Sequence, residues 1–111
     1  MAEPNTRDNQ AQHEIARRLG EAGFALPGTY LEYLHVCGRP NCRCTADPPR
    51  PHGPYHRWTR KVAGKTVTRR LSDEQARLYG PWFAEAQRLR AVLSELEALS
   101  LRVAQRGSTG L

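Results

Sequence analysis

Tyr55-His56-Arg57-Trp58-Thr59-Arg60-Lys61-Val62-Ala63-Gly64-Lys65-Thr66-Val67-Thr68-Arg69-Arg70-Leu71 is the stretch from which the fold is read. Its two halves are rich in β-branched and aromatic residues, and Ala63-Gly64 between them supplies a turn. The spacing predicts a β-hairpin, residues 55–62 against residues 65–71. Period-two alternation puts Trp58 on one face of the first strand and Arg57, Thr59 and Lys61 on the other, so a packing face and a basic face coexist. Trp58 reads as a core anchor rather than a platform for stacked bases.

Downstream of the hairpin, Ser72 and Gln75 have capping-box spacing, and Leu71 is placed to staple onto Ala76, which announces a helix. Gly80-Pro81 predicts a kink, or a restart with Pro81 in the first turn, because the residue before a proline resists helical geometry. Beyond it Trp82, Leu89, Leu96 and Val103 recur every seven residues, with Val92 and Leu99 in the neighbouring stripe and Ala86 and Leu93 widening it. That pattern makes a helix of about 25 residues, about 37 Å long. So long an apolar stripe must pack on the N-terminal helix or pair with a second chain. Glu85, Ser100 and Arg106 interrupt it, which argues against a long autonomous coiled coil.

Upstream, residues 1–7 read as a flexible tail. Ala11, Ile15, Ala16, Leu19 and Ala22 recur at helical spacing, so residues 8–21 read as a short helix closed by the Gly20 to Gly23 region. Residues 29–36 are aromatic and β-prone and read as a strand, although Tyr30 and Leu34, four apart, fit a short helix as well. Residues 107–111 read as disordered. The expected fold is α+β: a small antiparallel sheet of two to three strands with a short N-terminal helix and a long C-terminal helix, one domain over residues 8–106.

Between strand and hairpin lies Cys37-x4-Cys42-x-Cys44-x7-His52. Thiolates and imidazole are the ligands Zn²⁺ prefers, and four of them complete a closed tetrahedral site. Gly38, Arg39, Pro40, Asn41 and Arg43 make this a polar turn in which lone cysteines would not be buried as apolar side chains. Disulfide pairing would leave one of three thiols over. A zinc staple therefore leads, held by Cys37, Cys42, Cys44 and a histidine. His52 is favoured because it follows a proline-rich loop (Pro48, Pro49, Pro51) that adjusts easily to tetrahedral geometry. His35 and His56 are its competitors.

With 111 residues, 39% of them hydrophobic, the chain has a modest core, which a metal would reinforce. No apolar run is long enough to span a bilayer and no cleavable-signal pattern is present, so a soluble, cytoplasmic protein with no membrane partner is expected. Of the net charge of +6, residues 1–34 carry three basic against five acidic residues, a net of −2, and residues 71–111 carry five of each. Residues 35–70 carry nine basic residues against Asp47 alone, a net of +8. Charge so concentrated calls for a polyanion, and the guanidinium fork suits phosphate. The candidate phosphate contacts are Arg57, Arg60, Lys61, Lys65, Arg69 and Arg70 on the hairpin, with Arg39 and Arg43 beside the cysteines.

Cys37-Gly38-Arg39-Pro40-Asn41-Cys42-Arg43-Cys44, then His52-Gly53-Pro54-Tyr55, then Gly64-Lys65 before Arg69 and a long terminal helix, resembles a family of short bacterial proteins with a CG-x-P-x-C-x-C signature followed by HGPY and a hairpin. The resemblance covers residues 28–105. It implies zinc at Cys37, Cys42, Cys44 and His52 and an association with phage-like or transposon-like mobile elements, with no activity attached. The chain departs from the family at Gly80-Pro81, where the family helix runs uninterrupted. Residues 55–75 are also similar to the arm-binding domains of tyrosine recombinases, in which a basic strand pair with a GK turn precedes a helix.

No constellation of acids, bases and nucleophiles is apparent: Asp8, Asp47 and Asp73 are scattered, and neither a nucleophile motif nor a phosphate-cradling glycine loop is present. An enzyme is not expected. The leading expectation is a zinc-stabilised nucleic-acid-binding accessory protein, with DNA ahead of RNA. The alternative is a zinc-stabilised protein adapter or dimerisation module acting through Trp82, Leu89, Val92, Leu96, Leu99 and Val103, toward a second copy or a recombinase.

Overall fold

The computed structural model of the chain describes residues 3–37, 39, 41–42 and 52–106. The elements run α1 (Thr6–Gly20), β1 (Thr29–His35), β2 (His52–Val62), β3 (Lys65–Leu71) and α2 (Asp73–Gln105), an α+β fold with a three-stranded antiparallel sheet of order β1-β2-β3. The expected disorder of residues 107–111 lies outside the described residues, as do Arg43, Cys44 and the proline-rich loop. The chain gathers into two compact units, Met1–Ala25 with Ala84–Leu111, and Leu26–Phe83.

In the helical unit, α1 starts two residues ahead of the expected position because Asn5 caps it. Asp8 N–H donates to Asn5 Oδ1 (2.8 Å) while Asn5 N–H donates to Asp8 Oδ2 (2.9 Å), a reciprocal box that absorbs orphan donors at the helix start. Ile15, Val92 and Leu99 form a buried cluster, with Ala11, Leu19, Leu96 and Val103 packed around it. The long apolar stripe is thus met by α1 of the same chain. Leu89 is half-buried, but Leu93 is 48% exposed and lies off the covered face, contrary to the sequence expectation. Polar contacts brace the unit, among them an ion pair from Arg18 on α1 to Glu95 on α2 (2.9 Å). Arg106 donates to both carboxylate oxygens of Asp8 (2.6 and 3.0 Å), and Glu85 accepts from Arg88 (2.6 and 3.2 Å) and from Gly23 N–H (2.8 Å).

In the sheet unit, Ala63 (φ 51°) and Gly64 (φ 80°) make the two-residue hairpin turn between Val62 and Lys65, whose backbone twist matches that of the strands. Trp58, Leu71 and Phe83 form the core, with Leu26, Tyr30 and Tyr79 against it. The chain crosses Trp58 closely: its indole N–H donates to the Pro27 carbonyl (2.8 Å), and a Cβ at Gly28 would lie 2.6 Å from the Trp58 nitrogen. Only glycine fits there, and its φ of 109° demands the same. The box at Ser72 and Gln75 forms as expected (2.9 and 3.1 Å), with Leu71 and Ala76 both buried.

Residues 29–35 form the expected strand and not the alternative helix, because Tyr30 pairs with Trp58 across the sheet, a contact distant in sequence. The break at Gly80-Pro81 does not occur, and α2 runs through Pro81. An interior proline costs a helix about 3 kcal/mol. It is held here because Ala76 and Phe83 on either side are buried and the Trp82 carbonyl accepts Leu26 N–H (3.0 Å). Trp82 accordingly belongs to the sheet unit, beside Tyr79 (ring centroids 5.1 Å apart), and not to the cluster on α1. Among the described residues no helix is long and apolar enough to cross a membrane.

Leu99→Ala should lower the unfolding free energy by about 3 kcal/mol in urea titrations, whereas Leu93→Ala should change it by less than about 0.5 kcal/mol. The helical unit should also lose stability in acid. The hydrogen bonds from Arg106 and the Asn5 backbone hold the Asp8 carboxyl down at about 2, and those from Arg88 and the Gly23 backbone hold Glu85 at about 2. Carboxyls in an unfolded chain titrate near 4, so this stabilisation is complete above about pH 4 and disappears as pH falls through about 2. Thermal melts from pH 5 to pH 2 should show the decline, flattened in an Asp8→Asn, Glu85→Gln variant.

Candidate metal centre and open sheet face

β1 ends at His35, two residues before Cys37, and β2 begins at His52, which pairs with His35. The register slips by one residue between Tyr33 and His35, and Gly53 occupies the slip with φ 118°. A Cβ there would stand 2.9 Å from Tyr55 N and 3.0 Å from the Tyr33 carbonyl, so the backbones meet this closely only at a glycine. Cys42 follows a turn closed by its own N–H to the Arg39 carbonyl (3.3 Å). These elements bring one ligand atom each from Cys37, Cys42 and His52 to within 4.8 Å of one another, with Cys42 Sγ and His52 Nε2 in hydrogen-bond contact at 2.9 Å. Two sulfurs and an imidazole so grouped can hold a metal ion. A tetrahedral site with metal-ligand bonds of 2.0 to 2.3 Å has edges of about 3.6 to 3.8 Å, so the cysteine and histidine need separate by under about 1 Å to admit one.

The three competing histidines are resolved by the sheet. His52 joins the cluster, though as the first residue of β2 and not as the loop residue the sequence reading made it. His35 lines the same cavity, together with Arg39 and Tyr55, without joining the ligand trio. His56 is excluded, because it is buried four residues further along β2 and both its nitrogens are engaged. Nε2 faces Asp73 Oδ1 (2.8 Å), which only accepts, and Nδ1 faces the Tyr30 hydroxyl (2.6 Å). Burial, with the charges of Glu32 and Asp73, pushes the Tyr30 hydroxyl above its usual pKa. The expected fourth ligand, Cys44, lies outside the described residues.

The hairpin's six candidate phosphate contacts divide between two faces. The regular β2-β3 register puts Arg57, Lys61 and Arg70 on one face and Arg60, Lys65 and Arg69 on the other, the face that carries Trp58. Arg60 lies over the Trp58 ring (4.8 Å). The first face is open to solvent and holds a row that sequence reasoning missed. Arg57 lies 5.2 Å from the centre of the Tyr33 ring, Tyr33 and Tyr55 are 5.6 Å apart, and Arg70 lies 3.9 Å from the centre of Tyr55. The spacing of Tyr55 and Arg57 puts them on one face of β2, but their neighbours come from the two flanking strands and are invisible without the register. Arg39 is exposed at the edge of the metal cavity, and Arg43 lies outside the described residues.

A family model for the domain of unknown function DUF6788 matches residues 8–80, which take in most of α1, the whole sheet and the start of α2. The chain belongs to the DUF6788 family. No curated protein and no solved structure matches it.

If Cys37, Cys42 and His52 share one metal, titration with Co²⁺ should give the intense absorption of tetrahedral thiolate coordination. Cys42→Ser and His52→Ala should each weaken binding about a hundredfold, one ligand's share of the roughly 10–16 kcal/mol typical of such sites. His56→Gln should leave the titration unchanged.

Proposed function

We propose that the chain is a zinc-stapled nucleic-acid-binding module that takes DNA on the open face of its sheet. The observation that carries this reading is the pairing of Arg57 directly opposite Arg70 on that face. Like charges opposed across strands destabilise a sheet. The face they share with Lys61 has no Asp or Glu among its residues on β1, β2 or β3, and among the described residues neither arginine has a carboxylate partner. A polyanion resolves this repulsion, and DNA phosphates match the guanidinium fork. Zinc is the metal that best fits two sulfurs with an imidazole, and its part is to fix the end of the sheet, since Tyr55 lines both the metal cavity and the open face. An accessory role at a mobile element, implied by the sequence resemblance, is the setting this reading proposes.

A second reading, docking of another protein chain on α2, is supported by a surface hollow lined by Leu96, Leu101 and Ala104, where Leu101 is 57% exposed. Light scattering over a concentration series tests it for self-association.

The primary test is fluorescence anisotropy of labelled DNA across a salt series. Three phosphate contacts, from Arg57, Lys61 and Arg70, should give a log-log slope near about −3. Arg57→Ala with Arg70→Ala should flatten the slope by about two units, while Arg60→Ala with Arg69→Ala should change it by less than about one. Retention by neither DNA nor RNA at low salt, with metal bound and the fold intact, would overturn the proposal.

A further inference from the structure

We infer that the open face binds single-stranded DNA, with unpaired bases stacked on the Arg57-Tyr33-Tyr55-Arg70 row. The inference rests on the nucleic-acid reading above and narrows it to one strand state.

The first ground is width. The major groove of duplex DNA admits an α-helix or a two-stranded ribbon. The row here crosses three strands, Tyr33 on β1, Tyr55 and Arg57 on β2 and Arg70 on β3, and each strand adds about 4.8 Å. A two-stranded insertion would leave Tyr33 out of contact, whereas a single strand laid across the sheet reaches all four side chains.

The second ground is chemistry. Duplex phosphates need cations and no rings, yet each opposed arginine is backed by a tyrosine. Arg70, 3.9 Å from the Tyr55 ring centre, is at stacking distance. Half-buried tyrosine rings fixed in this way offer π surface without first having to be ordered, and arginine planes stack bases as aromatic rings do. Thr59 and Thr68, whose hydroxyl oxygens are 3.4 Å apart on the same face, and Lys61 supply groups for the backbone between bases. Rings that hold bases beside cations that hold phosphate make a site tolerant of sequence, because every base has a π face.

The third ground is that the face is continuous with the metal centre. Tyr55 lines the cavity that also holds Cys37, Cys42 and His52, so the ring position is set where the metal would bind.

The test uses the full, metal-loaded chain and three labelled probes of equal length: an oligothymidylate of about 15 nucleotides, an abasic strand with the same phosphates, and a duplex. Oligothymidylate should bind at least about fivefold more tightly than the abasic strand, the least that one stacked base contributes. Tyr33→Ala with Tyr55→Ala should bring oligothymidylate down to the abasic level without changing the salt slope, and Tyr33→Phe with Tyr55→Phe should retain the preference. Should the alanine variant fail to fold, the oligothymidylate and abasic comparison on the unaltered chain decides the matter. Equal affinity for those two strands, or tighter binding of the duplex, overturns the inference and leaves the nucleic-acid reading standing. Failure to bind any of the three overturns both.

Discussion

β2 is hydrogen-bonded on both sides, to β1 and to β3, so its pleat decides the destination of nearly every side chain in the sheet unit. Shifting it by one residue would exchange its faces, sending Tyr55 and Arg57 inward and His56 and Trp58 out. Two contacts pin the register. The Trp58 indole reaches the Pro27 carbonyl only because Gly28 lets the backbone lie against the ring, and His56 is bound between Tyr30 of β1 and Asp73 at the start of α2. At the other end Gly53 absorbs a one-residue slip, which restores pairing at His35 and His52 and delivers His52 to the cysteines. Core, metal cluster and basic face are three consequences of one strand alignment.

The features legible in the sequence are those fixed by near neighbours. Alternation across residues 55–71 and the dipeptide Ala63-Gly64 suffice for the hairpin, and Ser72 with Gln75 suffices for the start of α2, because each depends on contacts within a few residues. Asn5 and Asp8 have the same three-residue spacing, a signal present in the sequence that the helix periodicity overshadowed. What eluded sequence reasoning depends on partners far along the chain. The choice of strand over helix at residues 29–35, which the sequence left open, is settled by pairing with β2, and Pro81 is tolerated because of Leu26 and the buried residues around it. The proline-rich loop before His52 suggests a pliant ligand, but His52 reaches the cysteines from the end of a strand. Cys37, Cys42 and His52, singled out by their spacing, lie close enough together to hold a metal ion, and their approach to one another required the slip at Gly53.

The contrast between the chain's two sets of arginines bears most directly on function. In the helical unit Arg17, Arg18, Arg88 and Arg106 are each paired with a carboxylate, from Glu14 and Glu21, Glu95, Glu85 and Asp8 respectively. Such pairing neutralises the charge and engages the guanidinium N–H groups. On the sheet, Arg57, Arg60 and Arg70 lie over Tyr33, Trp58 and Tyr55 instead. A ring takes the face of a guanidinium and leaves its N–H edge available for an incoming acceptor. Arg57, Arg60 and Arg70 are thus held against aromatic rings with their N–H edges available, and opposing Arg57 and Arg70 across the open face is a cost that an anionic partner would offset.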